Sequence, residues 1–237
     1  NYHFREDFVE TMMRNYAYLN TGLTLVYNGH KFSSKNGLLD LLTETMTVDP
    51  LYSIIHIKGE DIEIALTHTN HSGEEYHSFV NGQHTIQGGT HQAAFREAIG
   101  RTIKEFFSKN FELSDIRNGV VGAIAINVSE PVFESQTKVK LGSKDMSPEG
   151  GLSVNKFVGD FIKQQLDNYL HKHPEVVEVM LQKIQETAEF LRGKMTTAPE
   201  TAIILGTGLG SLVNEITDKY EIEYKDIPNF PLSTVEG

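Results

Sequence analysis

Three runs in this 237-residue chain join glycines to hydroxyls, amides or a lysine at spacings that suit contact with an anion. The first is Ser78-Phe79-Val80-Asn81-Gly82-Gln83-His84-Thr85-Ile86-Gln87-Gly88-Gly89-Thr90-His91, a polar loop leading into a long helical pattern. Backbone N–H groups at a helix start have no partner inside the helix and can hold an anion. The plainer reading of the same run is a turn at Gly88-Gly89 with Thr90 capping the helix. The second run is Glu134-Ser135-Gln136-Thr137-Lys138-Val139-Lys140-Leu141-Gly142, where Lys138 could meet a phosphate as a point charge and Gln136 could orient it. A solvated lysine on a loop is the commoner reason for such a residue. The third is Ala202-Ile203-Ile204-Leu205-Gly206-Thr207-Gly208-Leu209-Gly210, an apolar strand pattern feeding a glycine loop. Gly206 and Gly208 would let backbone N–H groups approach a phosphate and Thr207 would add a hydroxyl, although a tight turn explains the pattern as well.

Composition narrows the chemistry. With no cysteine there is no disulfide, thiolate zinc site or cysteine nucleophile, and no metal site is expected in this segment. The net charge of −11, with no clustered Lys/Arg run, counts against the chain as a principal DNA clamp. No segment approaches the roughly 18 consecutive apolar residues of a membrane span. No membrane role is expected, no basic-then-apolar leader opens the chain, and a cytoplasmic location is expected.

The elements that must position these runs follow from periodicity. Phe8, Met12, Tyr16 and Leu19 recur at helical spacing before the stop Asn20-Thr21-Gly22. Leu23 to Tyr27, the Asn28-Gly29 turn and Lys31-Phe32 read as a hairpin. Leu38, Leu39, Leu41 and Leu42 mark a short helix. Residues 53–57, 62–66 and 76–80 read as extended and are expected to form one antiparallel meander. A helix from Thr90 to about Asn110 presents Phe95, Ile99, Ile103 and Phe106 on one side, and residues 120–128 form an apolar strand buried on both faces. After a Gly- and Ser-rich loop, Val158, Phe161, Ile162, Leu166 and Tyr169 mark one helix. Val177, Met180, Leu181, Ile184, Ala188 and Leu191 mark a second, which Pro174 starts. The fold class expected is α+β: a sandwich of a mostly antiparallel sheet with helices on one face, then long C-terminal helices and a partial β-loop-α tail.

Taken together, SFVNGQHTIQGGTHQAAFREAI and GAIAINVSEPVFESQTKVKLGS resemble the transducer domain of the bacterial gyrase and topoisomerase IV B subunits, over about residues 1–185. The resemblance implies an ATP-dependent type II DNA topoisomerase, an ATP-hydrolysing isomerase. In that family a domain preceding the transducer binds ATP with Mg²⁺, two B subunits dimerise over the nucleotide, and a loop glutamine and lysine reach the γ-phosphate. Those residues would be Gln136 and Lys138. The implied partners are DNA, reached through the full enzyme, the A subunit, and a second copy of the B subunit. The chain alone is expected to hydrolyse no ATP, with no complete catalytic set of its own.

The tail has another texture. Residues 202–210 together with Ile227-Pro228-Asn229-Phe230-Pro231-Leu232-Ser233-Thr234-Val235-Glu236-Gly237 resemble the start of a purine nucleoside phosphorylase, over about residues 180–237. That resemblance implies phosphate binding by Gly206, Thr207 and Gly208, and a glycosyltransferase activity as the alternative function. The expected division is residues 1–152 as the transducer, 153–195 as helices leading out of it with a chimeric junction near 180–186, and 196–237 as a truncated phosphorylase-like segment.

Overall fold

The structure is a computed structural model and describes residues 5–195, 197, 215–217 and 219–228. In chain order the elements are α1 (Glu6–Leu19), β1 (Thr24–Tyr27), β2 (His30–Ser33), α2 (Leu38–Thr45), β3 (Ile55–Gly59), β4 (Ile62–His68), β5 (Glu75–Val80) and β6 (Gln83–His84). They continue with α3 (Thr90–Phe107), α4 (Leu113–Arg117), β7 (Val120–Ile126), α5 (Val154–Lys172), α6 (Pro174–Lys194) and a 3₁₀ turn at Tyr224–Asp226.

β7 lies at the centre of a five-stranded sheet of order β3-β4-β7-β5-β6. Its sequence Val-Val-Gly-Ala-Ile-Ala-Ile is apolar on both faces, so it is stable only with strands on both edges and cover above and below. It pairs antiparallel with β4 and parallel with β5. The expected continuous meander over residues 53–80 is therefore corrected: β3 and β4 form a hairpin, but β7 separates β4 from β5. The connection from β5 to its parallel neighbour runs through β6, α3 and α4, as a parallel pair requires.

Alternation divides the sheet into two cores. Ile62, Ile64, Leu66, Val80, Ile124 and Ile126 meet Phe95, Ile99 and Ile103 of α3 and Val158, Ile162 and Leu166 of α5. Ala65, Phe79, Val121 and Ala123 meet Leu38, Leu41 and Leu42 of α2 and Tyr18 of α1. The mixed α+β class is as expected, but helices cover both faces of the sheet. Long α3 and α5 take one face, and the small side chains of Ala65 and Ala123 leave room for α2 on the other. Truncating a fully buried side chain such as Ile162 or Phe95 to alanine would cost about 2–5 kcal/mol.

Local chemistry explains the ends of elements. Asn28 and Gly29 both take positive φ (50° and 79°), the two-residue turn that matches strand twist in a hairpin. Ser153 caps α5, its hydroxyl accepting from the Lys156 N–H at 3.2 Å. Pro174 occupies the first turn of α6. On α6 the most deeply packed residues are Val176, Met180, Lys183 and Ile184, with Val177 partly buried against the same core. α1 forms as expected, yet most of its apolar stripe faces solvent: Phe8 is 63% exposed, Met12 48% and Tyr16 43%, while Ala17, Tyr18 and Leu19 pack inward. No described helix is long and apolar enough to cross a membrane.

Gly206, Thr207 and Gly208, the strand expected over 201–205 and most of the helix expected over 211–216 lie outside the described residues.

Candidate functional site

The two runs singled out between Ser78 and Gly142 meet in space. The Gln87 N–H donates to the Val139 carbonyl at 2.9 Å, the Leu141 N–H to the Gly88 carbonyl at 3.0 Å, and the Thr90 N–H to the Leu141 carbonyl at 3.2 Å. Gly89 and Leu141 form a parallel bridge, and Phe133 pairs antiparallel with Leu141 from the other side. The base of the 134–141 loop is thus a small three-stranded patch laid against the start of α3. Thr90 does not cap that helix. It is the first helical residue, Gly89 precedes it with no side-chain cap, and the Thr90 hydroxyl donates to the Ser143 carbonyl at 2.7 Å. The helix-start N–H of Thr90 is spent on the loop, so the polar run acts as a fastening for the second run.

On that base the loop turns through a Lys138 N–H to Ser135 carbonyl bond of 3.0 Å, with the Ser135 and Thr137 hydroxyls 2.7 Å apart. Gln136 and Lys138 are both exposed. Lys138 takes φ 55°, a conformation that non-glycine residues adopt at a cost of about 1–3 kcal/mol when the surroundings hold them there. Its Nζ lies 5.9 Å from the Phe133 ring, near the outer limit for a cation–π contact, while Lys140 is paired with Glu134 at 3.0 Å. The two side chains named from sequence are therefore brought together on one turn.

Beside the loop, a groove of ≈ 700 Å³ is lined by Thr90, Gln92, Arg96, Arg117, Glu134 and Lys140 among others. Two of its lining residues, Arg96 and Arg117, belong to an ion cluster with no sequence signal, because its members lie far apart in the chain. Arg96 grips Glu74 through Nε and Nη2 at 2.6 and 2.5 Å, Arg117 Nε adds a contact at 3.3 Å, and the Tyr76 hydroxyl donates to Glu74 at 2.9 Å. Burial pushes the Glu74 carboxyl up, but hydrogen bonds from Arg96 and Tyr76 hold it below its ordinary value. Burial, and then the Glu74 charge, push the Tyr76 phenol up. The cluster ties β5 to α3 and α4. Among the described residues no group of three or more His, Asp or Glu is placed to hold a metal ion.

A mixed sheet with long α3 and α5 on one face, and a lysine-bearing loop fastened to the start of α3, has the fold seen in ATPase regions of type II topoisomerases. It superposes on the 43K ATPase domain of Thermus thermophilus gyrase B with a TM-score of 0.63 at 23% identity, covering 82% of this chain and 58% of that one. It superposes on the ATPase region of Saccharomyces cerevisiae topoisomerase II with a TM-score of 0.53 at 18% identity, covering 74% and 47%. The sequence profile of the DNA gyrase B family matches residues 8–196, and the chain belongs to that family. It is 43% identical over 162 residues to the B subunit of DNA topoisomerase 4 from Borreliella burgdorferi, covering 68% of this chain and 27% of that protein. It is 30% identical over 213 residues to the B subunit of DNA gyrase from Thermotoga maritima, covering 78% of this chain and 32% of that protein. A 27% identity to the B subunit of DNA gyrase from Helicobacter pylori (strain J99) extends over 99% of this chain and 31% of that protein. The chain therefore spans about a third of the length of the curated relatives it matches.

Proposed function

We propose that residues 1–152 are the transducer of a type II DNA topoisomerase B subunit, that residues 153–195 carry motion away from it, and that Gln136 and Lys138 sense the γ-phosphate of ATP. The observation that carries this reading is the fastening of their loop to residues 87–90. It presents an amide and a cation to solvent from a base tied to the core helix α3. A phosphate bound elsewhere in the subunit would meet a donor and a positive charge whose positions are set by the fold. A cation so placed stabilises charge that develops as phosphoryl transfer proceeds, and it loses its partner when the phosphate leaves. Because α3 packs along α5, a shift of the loop can bias the position of the outgoing helices, a population shift driven by differential binding.

The described residues fit this role from one side only. They offer donors for a phosphate but no Mg²⁺ ligand set, so the nucleotide and its metal would be held by another part of the subunit. The exposed stripe of Phe8, Met12 and Tyr16 supports such a neighbour, since a soluble domain gains by covering it. DNA, a second B subunit and the partner A subunit would act on the whole assembly. The acidic balance of this chain suits a relay better than a DNA clamp.

The test is Lys138→Ala in the complete B subunit combined with its A subunit. ATP turnover and ATP-dependent relaxation are expected to fall by about 10²-fold, the size of effect seen when a transition-state donor is removed. Unchanged turnover would remove Lys138 from the mechanism. We infer a junction near residues 180–186 with a phosphorylase-like segment on the strength of the glycine loop around Thr207, although the family match continues to residue 196. The Helicobacter alignment runs on past that point. A single sequencing read through codons 179–186 decides whether the junction is real. Nothing in the comparisons supports phosphorolysis as the activity, and inosine cleavage by the chain is the assay that would revive it.

A further inference from the structure

Beneath the loop's fastening lies a polar cluster that the fold alone does not require. Ser78 and Thr85 are each 1% exposed and His91 is fully buried. The Thr85 hydroxyl donates to the Ser78 carbonyl at 2.8 Å, and the Thr85 N–H reaches the same carbonyl at 2.8 Å. The Ser78 hydroxyl lies 2.9 Å from the Thr85 carbonyl, 2.7 Å from the Thr85 hydroxyl and 2.9 Å from Gln92 Oε1. His91 Nε2 lies 3.2 Å from the Thr85 hydroxyl. Since that hydroxyl spends its proton on Ser78, the imidazole donates from Nε2. Nδ1 is then an acceptor, and it has no partner among the described residues. Buried hydroxyls and an orphaned acceptor cost free energy that a valine or alanine in their place would not. What they give in return is a fixed position for residues 85–88: the Gly88 N–H donates to the Thr85 carbonyl at 2.8 Å, and Gly88 in turn accepts from Leu141.

We propose that Ser78, Thr85 and His91 are positioning residues for the phosphate-sensing loop, locking residues 85–90 so that the bonds from Gln87, Gly88 and Thr90 hold the 134–141 turn at one height above α3. This rests on the reading of Gln136 and Lys138 given above, but its test needs no nucleotide. The three backbone bonds that fasten the loop on its α3 side all end within residues 87–90, and those residues are held by the cluster, so loosening the cluster loosens the turn. The ladder between β4 and β7 contains no member of the cluster, which meets β7 only through the β5 backbone at Ser78.

The experiment is amide hydrogen exchange on this chain. Thr85→Val keeps the volume and removes the hydroxyl. The amides of Gln87, Thr90 and Leu141 are expected to exchange about tenfold faster, the equivalent of one hydrogen bond of about 1.4 kcal/mol, with β4 and β7 amides unchanged. Trypsin cleavage after Lys138 is expected to rise in parallel. Thr85→Ser, which restores the hydroxyl, is expected to restore protection. Ser78→Ala gives the same reading should the valine variant fail to fold. Equal protection of the three amides in the variants overturns the proposal, as does acceleration shared with β4 and β7. Failure of Lys138→Ala to alter ATP turnover, with these exchange changes observed, would remove the phosphate reading and leave the positioning intact.

Discussion

Gly89 and Leu141 form the contact on which the candidate site depends: Gly89, at φ 133°, lies so close to the Leu141 backbone that a Cβ on it would sit 2.8 Å from the Leu141 Cα and closer still to the carbonyl oxygen and nitrogen. Both the conformation and the space exclude a side chain. Gly89→Ala is expected to destabilise the chain by on the order of 2–3 kcal/mol, through strained φ and the displaced loop. It is also expected to increase proteolysis around residues 134–141. Denaturant unfolding with limited proteolysis measures both. An alanine variant as stable and as resistant as the parent would show that the loop is not seated on Gly89.

His68 and Tyr52 give the chain an acid-sensitive core. His68 is fully buried; its Nε2–H donates to the Ile116 carbonyl at 2.7 Å, and its Nδ1 accepts from the Tyr52 hydroxyl at 2.5 Å, which fixes the neutral tautomer. Burial, with the Lys183 ammonium nearby, pushes its pKa from 6.5 down to about 4, and burial does the same to His91. The unfolded chain binds these protons first, so stability is full above the unfolded value and is lost as pH falls from 6.5 towards 4. Each histidine contributes up to about 3 kcal/mol to that loss. Urea unfolding at stepped pH is expected to show the fall across this window, with a smaller slope in His68→Gln. A stability that is flat from pH 7 to 4 would contradict the burial of both rings.

Some of this was legible in sequence. Asn28-Gly29 announced its turn because only a few residue pairs tolerate positive φ at both positions. The apolar run of β7 announced a central strand, and Gln136 and Lys138 stood out as a polar turn after it. The placement of β7 between β4 and β5 was not legible, because periodicity reports which face a residue takes and never which strand lies beside it. Thr90 read as a cap because its type suits one, but a tertiary partner, the Ser143 carbonyl, claims its hydroxyl. The Glu74, Arg96 and Arg117 cluster left no local trace at all, since charges 22 and 43 residues apart meet only after folding.

Lys183 fastens α6 to the end of the sheet. It is 6% exposed, and its Cε would lie 2.9 Å from a Cβ placed on Gly119, at the start of β7. Its four-carbon stem fills space there, and burial lowers its pKa. Lys183→Ala is expected to cost about 1–3 kcal/mol by leaving a cavity and removing the ammonium's contacts. The loss is expected to be local: proteases cut within α6 while α3 and α5 stay protected. Uniform sensitivity along the chain would show that α6 unfolds with the rest and is not separately latched.

The exposed stripe of α1 tests whether this face belongs against another part of the subunit. Phe8, Met12 and Tyr16 run along one side of the helix, and Val26 on the neighbouring hairpin is 62% exposed. None of them belongs to either buried core, so replacing Phe8 and Met12 with serine is expected to change the stability of this chain by only about 0.5 kcal/mol per site. In the complete B subunit the same substitutions remove two large apolar contacts from an interface, at a cost of about 2–5 kcal/mol each if both are buried there. The paired measurement is therefore thermal unfolding of this chain and of the complete subunit, each with and without Phe8→Ser and Met12→Ser. A shift confined to the longer protein assigns the stripe to a contact within it. Equal and small shifts in both would mean that the stripe stays in solvent, and the exposed face would then lend no support to a nucleotide-binding neighbour.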